Sequence, residues 1–172
     1  KTKQGFYKKI DKGVIHSLDL STLEYKPMKK KRYAAFALAK EKTYLRDRIN
    51  TIVRSDDVAG EFLWSVMSKS LLYAANNIGK IADDVVSVDN ALKWGFGWEL
   101  GPFEVLDAIG LEYFVKRLKS QGDNDSIPAW MNEMLVSDLT SIYILLDGKR
   151  KYYSIKDKNY QSLNYHEKEI YF

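Results

Sequence analysis

The chain has 172 residues, and a chain of roughly 150 residues buries about 70% of its unfolded surface, so one domain with a real core needs no staples. It has no cysteine, which excludes disulfides and thiolate metal sites; no run of about 20 apolar residues or signal-peptide core occurs, so it reads as soluble, cytoplasmic and without a membrane partner. The net charge of +4 conceals two blocks: residues 26–54 carry ten Lys/Arg against Glu41 and Asp47, whereas residues 56–112 carry ten Asp/Glu against Lys69, Lys80 and Lys93.

The chain begins without methionine, inside a motif that reads as structured, so a fragment of a longer protein is expected. Residues 5–25 carry hairpin signals, with a turn at Asp11-Lys12-Gly13 between aromatic and β-branched runs, and Pro27 closes the unit. Met28 to Arg54 holds good helix formers at helical spacing, as two short helices or one bent one, with Thr43 a candidate cap. Ser55-Asp56-Asp57 caps the longest predicted helix, from Asp57 to about Ile78. Its stripe Leu63, Met67, Leu71, Ala74, Ile78 is widened by Phe62, Val66 and Tyr73 into a broad buried face. Gly79 is the expected stop.

A further helix is predicted from Ser87 to the glycines Gly95 and Gly97. Gly101-Pro102-Phe103-Glu104 opens another, with proline in the first turn, glutamate near the positive end and Gly110 as its C-terminal cap. Leu111–Ser120 and Pro128–Val136 complete the helices, with a polar loop at Gln121–Ser126. Ser141–Leu146 and Lys151–Ile155, around Asp147-Gly148, form a second hairpin. The two hairpins resemble each other, each with a tyrosine (Tyr25, Tyr160) about a dozen residues past its turn, and read as a weak internal repeat of helical unit plus hairpin. The domains expected are 1–27, a hairpin trailing a missing module; 28–55, a basic helical linker; 56–137, the helical domain; and 138–172, a hairpin tail.

The ordered run from Ala91 to Gly110, ALKWGFGWELGPFEVLDAIG, resembles the signature of the C-terminal helical domain of 3-hydroxyacyl-CoA dehydrogenases. The stretch Leu72–Asp89 is similar to the helix and turn that precede it there, and Lys1–Tyr7 resembles the Lys-Thr-Gly-x-Gly-Phe-Tyr motif that closes a module of this type, with Lys3 in place of its first glycine. The resemblance implies a mainly α fold, a 6-phosphogluconate-dehydrogenase-C-terminal-like helical domain, here flanked by two β-hairpins. It implies a multidomain enzyme of fatty-acid β-oxidation that uses NAD to oxidise the 3-hydroxyl of an acyl-CoA substrate, with this chain as its second helical module. The partners implied are the Rossmann domain and first helical module of the same polypeptide, and a homodimer is compatible.

In that family the proton-accepting His–Glu pair and the dinucleotide fingerprint lie on the Rossmann domain, and no G-x-G-x-x-G stands here: Gly95-Phe96-Gly97 begins one, but position 100 is Leu. A substrate-contacting asparagine of the family aligns with Trp64, in Leu63-Trp64-Ser65, which implies a degenerate copy. No catalytic, cofactor-binding or metal-binding residue is therefore assigned. Gly95, Gly97, Gly101, Pro102, Phe103, Glu104, Asp107 and Gly110 are read as structural, with glycines as helix punctuation and Glu104 as a first-turn charge.

Trp94, Phe96, Trp98 and Phe103 are expected as core or interface anchors rather than an acyl tunnel. His16 and His166 lack neighbouring ligands, and Lys29-Lys30-Lys31-Arg32 reads as a solvated linker without a nucleic-acid partner. The alternative to a dehydrogenase fragment is a non-enzymatic polyanion-binding or self-associating helical module.

Overall fold

The computed structural model describes residues 5–28 and 31–163. Residues 1–4 of the opening motif, Lys29, Lys30 and His166 lie outside the described residues. The chain divides into two compact units, 1–32 and 33–172.

The first unit is a three-stranded antiparallel sheet of β1 (Tyr7–Asp11), β2 (Val14–Leu18) and β3 (Tyr25–Pro27). Its first turn contains Gly13, at φ +81°, a backbone that glycine adopts without steric cost. Pro27 does not merely close the unit: it sits in β3 opposite His16, on an edge strand that tolerates its missing N–H.

The second unit is mainly helical. It comprises α1 (Ala34–Lys40), α2 (Leu45–Val53), α3 (Val58–Asn76), α4 (Val85–Phe96), α5 (Pro102–Ile109), α6 (Leu111–Ser120), a 3-10 turn at Asn124–Ser126 and α7 (Ala129–Val136). A second antiparallel sheet of β4 (Tyr143–Leu146), β5 (Lys149–Ser154) and β6 (Asn159–Ser162) follows. The Asp147-Gly148 turn has positive φ at both residues, 52° and 70°, the geometry that matches hairpin twist. Each expected hairpin is thus two strands of a three-stranded sheet, because Tyr25 and Tyr160 each lie in a third strand.

From Tyr33 onward the basic segment 28–55 belongs to the helical unit, and two of its side chains serve the end of α5. Asn50 Nδ2 donates to Ala108 O at 2.7 Å, and Arg54 donates to Ile109 O at 2.8 Å. These are carbonyls that a helix C-terminus leaves without intrahelical partners. Thr43 is not the cap of α2; Tyr44 holds that position without a side-chain hydrogen bond.

Within the expected capping run, Asp57 is the N-cap of α3, accepting from Gly60 N at 3.0 Å, and the helix runs Val58–Asn76 rather than from Asp57 to about Ile78. Buried positions run Gly60, Trp64, Ser68, Leu71, Ala75, one residue round from the predicted stripe, with Leu63, Met67, Ala74 and Ile78 packed at its margin. Phe62, Val66 and Tyr73 are exposed. The broad buried face is therefore a correction: α3 covers the core with one stripe and leaves an apolar stripe outward. Helix α4 begins at Val85 rather than Ser87, since Asp84 caps it through Ser87 N at 2.7 Å.

Helix α5 lies at the centre, with Pro102, Phe103, Glu104, Val105, Leu106 and Ile109 all buried. A helix buried nearly all round is apolar nearly all round, and this eight-residue helix carries only Glu104 and Asp107 as charges. Around it Leu111, Phe114, Leu118, Met131, Met134 and Ile142 are fully buried, each contributing roughly 1.5–3 kcal/mol by removal from water.

Candidate functional site

The signature segment spans the end of α4, a turn and α5, and its polar side chains form one buried network. The network starts from a missing atom. Gly101 occupies the N-cap position of α5, where a serine, threonine or aspartate would ordinarily satisfy the first N–H groups, yet a Cβ built there would fall 2.4 Å from the Cβ and Cγ of Asp89. Asp89, on α4, takes over the capping role: its carboxylate accepts from Phe103 N at 2.8 Å and from Glu104 N at 3.2 Å. Glu104 completes the cap from inside the helix, accepting from Gly101 N at 3.0 Å. Pro102, at the first helical position, has no N–H to satisfy.

The tail sheet closes over this start. Tyr143 donates its hydroxyl to Asp89 at 2.8 Å, and Arg150 donates to Glu104 at 2.6 Å while stacking over the Tyr143 ring at 4.6 Å. Lys93 lies 3.2 Å from the other Glu104 oxygen. Asp107, one turn further along α5, accepts from the backbone N–H groups of Ile142 and Tyr143 at 2.7 and 2.8 Å. All three carboxylates are thus occupied in joining α4, α5 and the sheet.

Their titration follows from these surroundings. Burial pushes Asp89 up to about 7, against the pull of its N–H and hydroxyl donors, and neighbouring Glu104 adds to the rise. Burial also pushes Asp107 up to about 6 despite two backbone donors. Glu104 feels the same burial, but the Gly101 N–H, Arg150 and Lys93 outweigh it and hold the carboxyl below the usual glutamate range. Tyr143 is driven upward, first by burial and then by the Asp89 charge, so its hydroxyl stays a donor.

Of the remaining signature residues, Gly97 is the left-handed C-cap of α4 at φ +66°, Gly95 lies within the last turn of α4, and Gly110 joins α5 to α6. Phe103 is core, packed against Trp130 with ring centroids 6.3 Å apart. Trp94, Phe96 and Trp98 are exposed, so they are not core residues of this chain. The Gly95–Gly97 turn lies at a helix C-terminus, which presents carbonyls and negative partial charge, whereas a dinucleotide pyrophosphate requires a helix N-terminus. These residues do not fit NAD. Among the described residues no group of three or more His, Cys, Asp or Glu is arranged to hold a metal, and no helix is long and apolar enough to cross a membrane.

Trp64 is 3% exposed. Its indole donates to Gln121 Oε1 at 2.8 Å, meets Phe114 and Tyr113 edge-on, and carries the Arg117 guanidinium 4.4 Å above its ring. It anchors α3 to α6.

Residues 66–141 match the family model of the 3-hydroxyacyl-CoA dehydrogenase C-terminal domain. That segment belongs to this domain family. The chain is 43% identical over 153 residues to the probable 3-hydroxyacyl-CoA dehydrogenase of Bacillus subtilis, covering 89% of this chain and 19% of that protein. Putative trifunctional enzymes of the fatty acid oxidation complex from Rickettsia felis and Rickettsia prowazekii match at 28% over 60 residues and 23% over 109. They cover 35% and 62% of this chain, and 8% and 14% of their own lengths. The chain therefore spans a fifth or less of the relatives it matches. No solved structure matches it at a significant level.

The residues that sequence reasoning missed are Asp89, Lys93, Tyr143 and Arg150. Asp89 carried one signal: an acid twelve positions before a glycine that occupies a cap position without a capping side chain. Tyr143 and Arg150 carried none, because they reach Asp89 and Glu104 from β4 and β5, 54 and 46 residues away.

Proposed function

We propose that this chain is the second helical module of a multidomain, NAD-dependent 3-hydroxyacyl-CoA dehydrogenase of cytoplasmic fatty-acid oxidation, and that its role is to pack and close the domains that bind NAD and acyl-CoA. The observation that carries this reading is the state of the carboxylates in and beside the signature: Asp89, Glu104 and Asp107 are each committed to helix starts, backbone N–H groups, the Tyr143 hydroxyl or half-buried cations. None is left to move a proton to or from a substrate. Trp64, at the position of the family's substrate-contacting asparagine, is committed to the α3–α6 contact in the same way.

The domain division 1–27, 28–55, 56–137 and 138–172 belongs to this proposal, with the acyl-CoA site and the cofactor site on other domains of the polypeptide. NAD, where bound, supplies the hydride acceptor. The outward stripe of Phe62, Val66 and Tyr73 on α3, and separately the exposed Trp94 and Phe96 at the end of α4, support a packing role, because large apolar side chains grouped at the surface mark interaction faces.

The test is spectrophotometric. The 172-residue chain should show no NADH-dependent reduction of a 3-ketoacyl-CoA, and a polypeptide extended to include a Rossmann domain should show it; turnover by the chain alone would overturn the assignment.

A further inference from the structure

The two sheets are built on one plan. In each, a tyrosine of the third strand donates its hydroxyl to the backbone carbonyl just before the first strand: Tyr25 to Gly5, and Tyr160 to Ser141. In each, the residue opposite that tyrosine donates its N–H to the next carbonyl: Leu18 to Phe6, and Tyr153 to Ile142, both at 2.8 Å. Tyr7 and Tyr143 then occupy the same place at the start of the first strand. The single extra residue between Tyr7 and Leu18 is taken up by the irregularity at Lys9–Asp11.

The equivalence breaks at burial. Ile142 is fully buried in the helical core and its N–H, with that of Tyr143, is held by Asp107. Its counterpart Phe6 is 67% exposed and Tyr7 is 68% exposed, and among the described residues no carboxylate meets either N–H.

We propose that the face of β1–β3 around Phe6 and Tyr7 docks onto another helical module of the α4–α5 type, preceding this one in the polypeptide. Phe6 fills the core slot that Ile142 fills here, and an aspartate at the position of Asp107 accepts from the Phe6 and Tyr7 N–H groups. The Tyr7 hydroxyl reaches the acid that caps that module's central helix. This rests on the reading of the chain as one module of a longer dehydrogenase. The occupant is not the α4–α5 face of a second copy: strand register puts Ile15 at the place of Arg150, so exchange of sheets would strand buried Glu104 without its guanidinium.

Hydrogen exchange across residues 5–18 tests the inference, compared between the 172-residue chain and the longer polypeptide. Exchange should be at least roughly tenfold slower in the longer polypeptide, and Phe6→Glu should restore the fast rate there while leaving the thermal transition of the 172-residue chain unchanged. Equal rates in both would overturn the proposal, as would protection in the short chain that grows with its concentration, which would make a second copy the occupant. The two readings fail separately. A longer polypeptide without an upstream Gly-Pro-Phe-Glu-x-x-Asp helix sinks the module reading, whereas one that has the helix and still exchanges quickly sinks only the docking.

Discussion

Asp89 caps a helix to which it does not belong, and it does so from the space that Gly101 leaves open: the Cβ absent from Gly101 would lie 2.4 Å from the Asp89 carboxyl carbon. Substituting Gly101→Ala forces α4 and α5 apart or displaces the carboxylate. Overpacking of this kind costs about 1–3 kcal/mol. Asp89→Asn keeps the shape but turns an amide N–H₂ toward groups that are themselves donors, for a loss on the order of 1–3 kcal/mol. Urea unfolding followed by circular dichroism measures both, and stability unchanged in either variant would refute the remote cap.

Trp64 is expected to matter for stability and not for chemistry. Trp64→Ala should cost about 3–5 kcal/mol, as large aromatic truncations in cores do. Trp64→Asn should destabilise comparably and give no dehydrogenase activity in the isolated chain. A stable Trp64→Asn variant would show that the α3–α6 contact does not depend on the indole.

Stability should decline as pH rises from about 5.5 to 7. The folded Asp107 titrates at about 6, above the ordinary 3.8. The folded state therefore binds more protons than the unfolded state between those values, and this contribution to stability is lost as pH rises through about 6. Glu104, held low, works in the opposite sense, its contribution fading only as pH falls below the usual glutamate range. Between pH 5.5 and 7 the raised acids dominate. Asp107→Asn should flatten the wild-type decline by on the order of 1 kcal/mol; parallel wild-type and variant slopes in denaturant titrations at these pH values would exclude Asp107 as its source.

The paired tyrosines offer a control across the two units. Tyr160→Phe removes the hydroxyl bond to Ser141 O and should lower the stability of the helical unit by about 1 kcal/mol. Tyr25→Phe removes the equivalent bond to Gly5 O and should leave the calorimetric transition of residues 33–163 where it was, because the change falls in the other unit.

Much of the fold was legible in the sequence, because it rests on local rules. Asp57 lies in the predicted capping run of α3, the Asp147-Gly148 turn requires positive φ twice, and Pro102 belongs in a first helical turn; each is decided within a few residues. The ordered signature identified the domain family on the same basis, and the internal repeat was visible in the spacing of two tyrosines from two turns. The sequence could not decide which apolar residues face inward. Phe62, Val66 and Tyr73 fit the periodicity of α3 as well as Trp64 and Leu71 do, and only packing against α2, α5, α6 and α7 selects one stripe. Nor could it decide what the signature acids do. Glu104 looks like an ordinary first-turn charge until Arg150 arrives from β5, and Asp107 like a helix-end acid until the backbone of Ile142 and Tyr143 meets it. A carboxylate's role is set by which donors surround it in a place without water, and those donors come from segments that chain order keeps far apart.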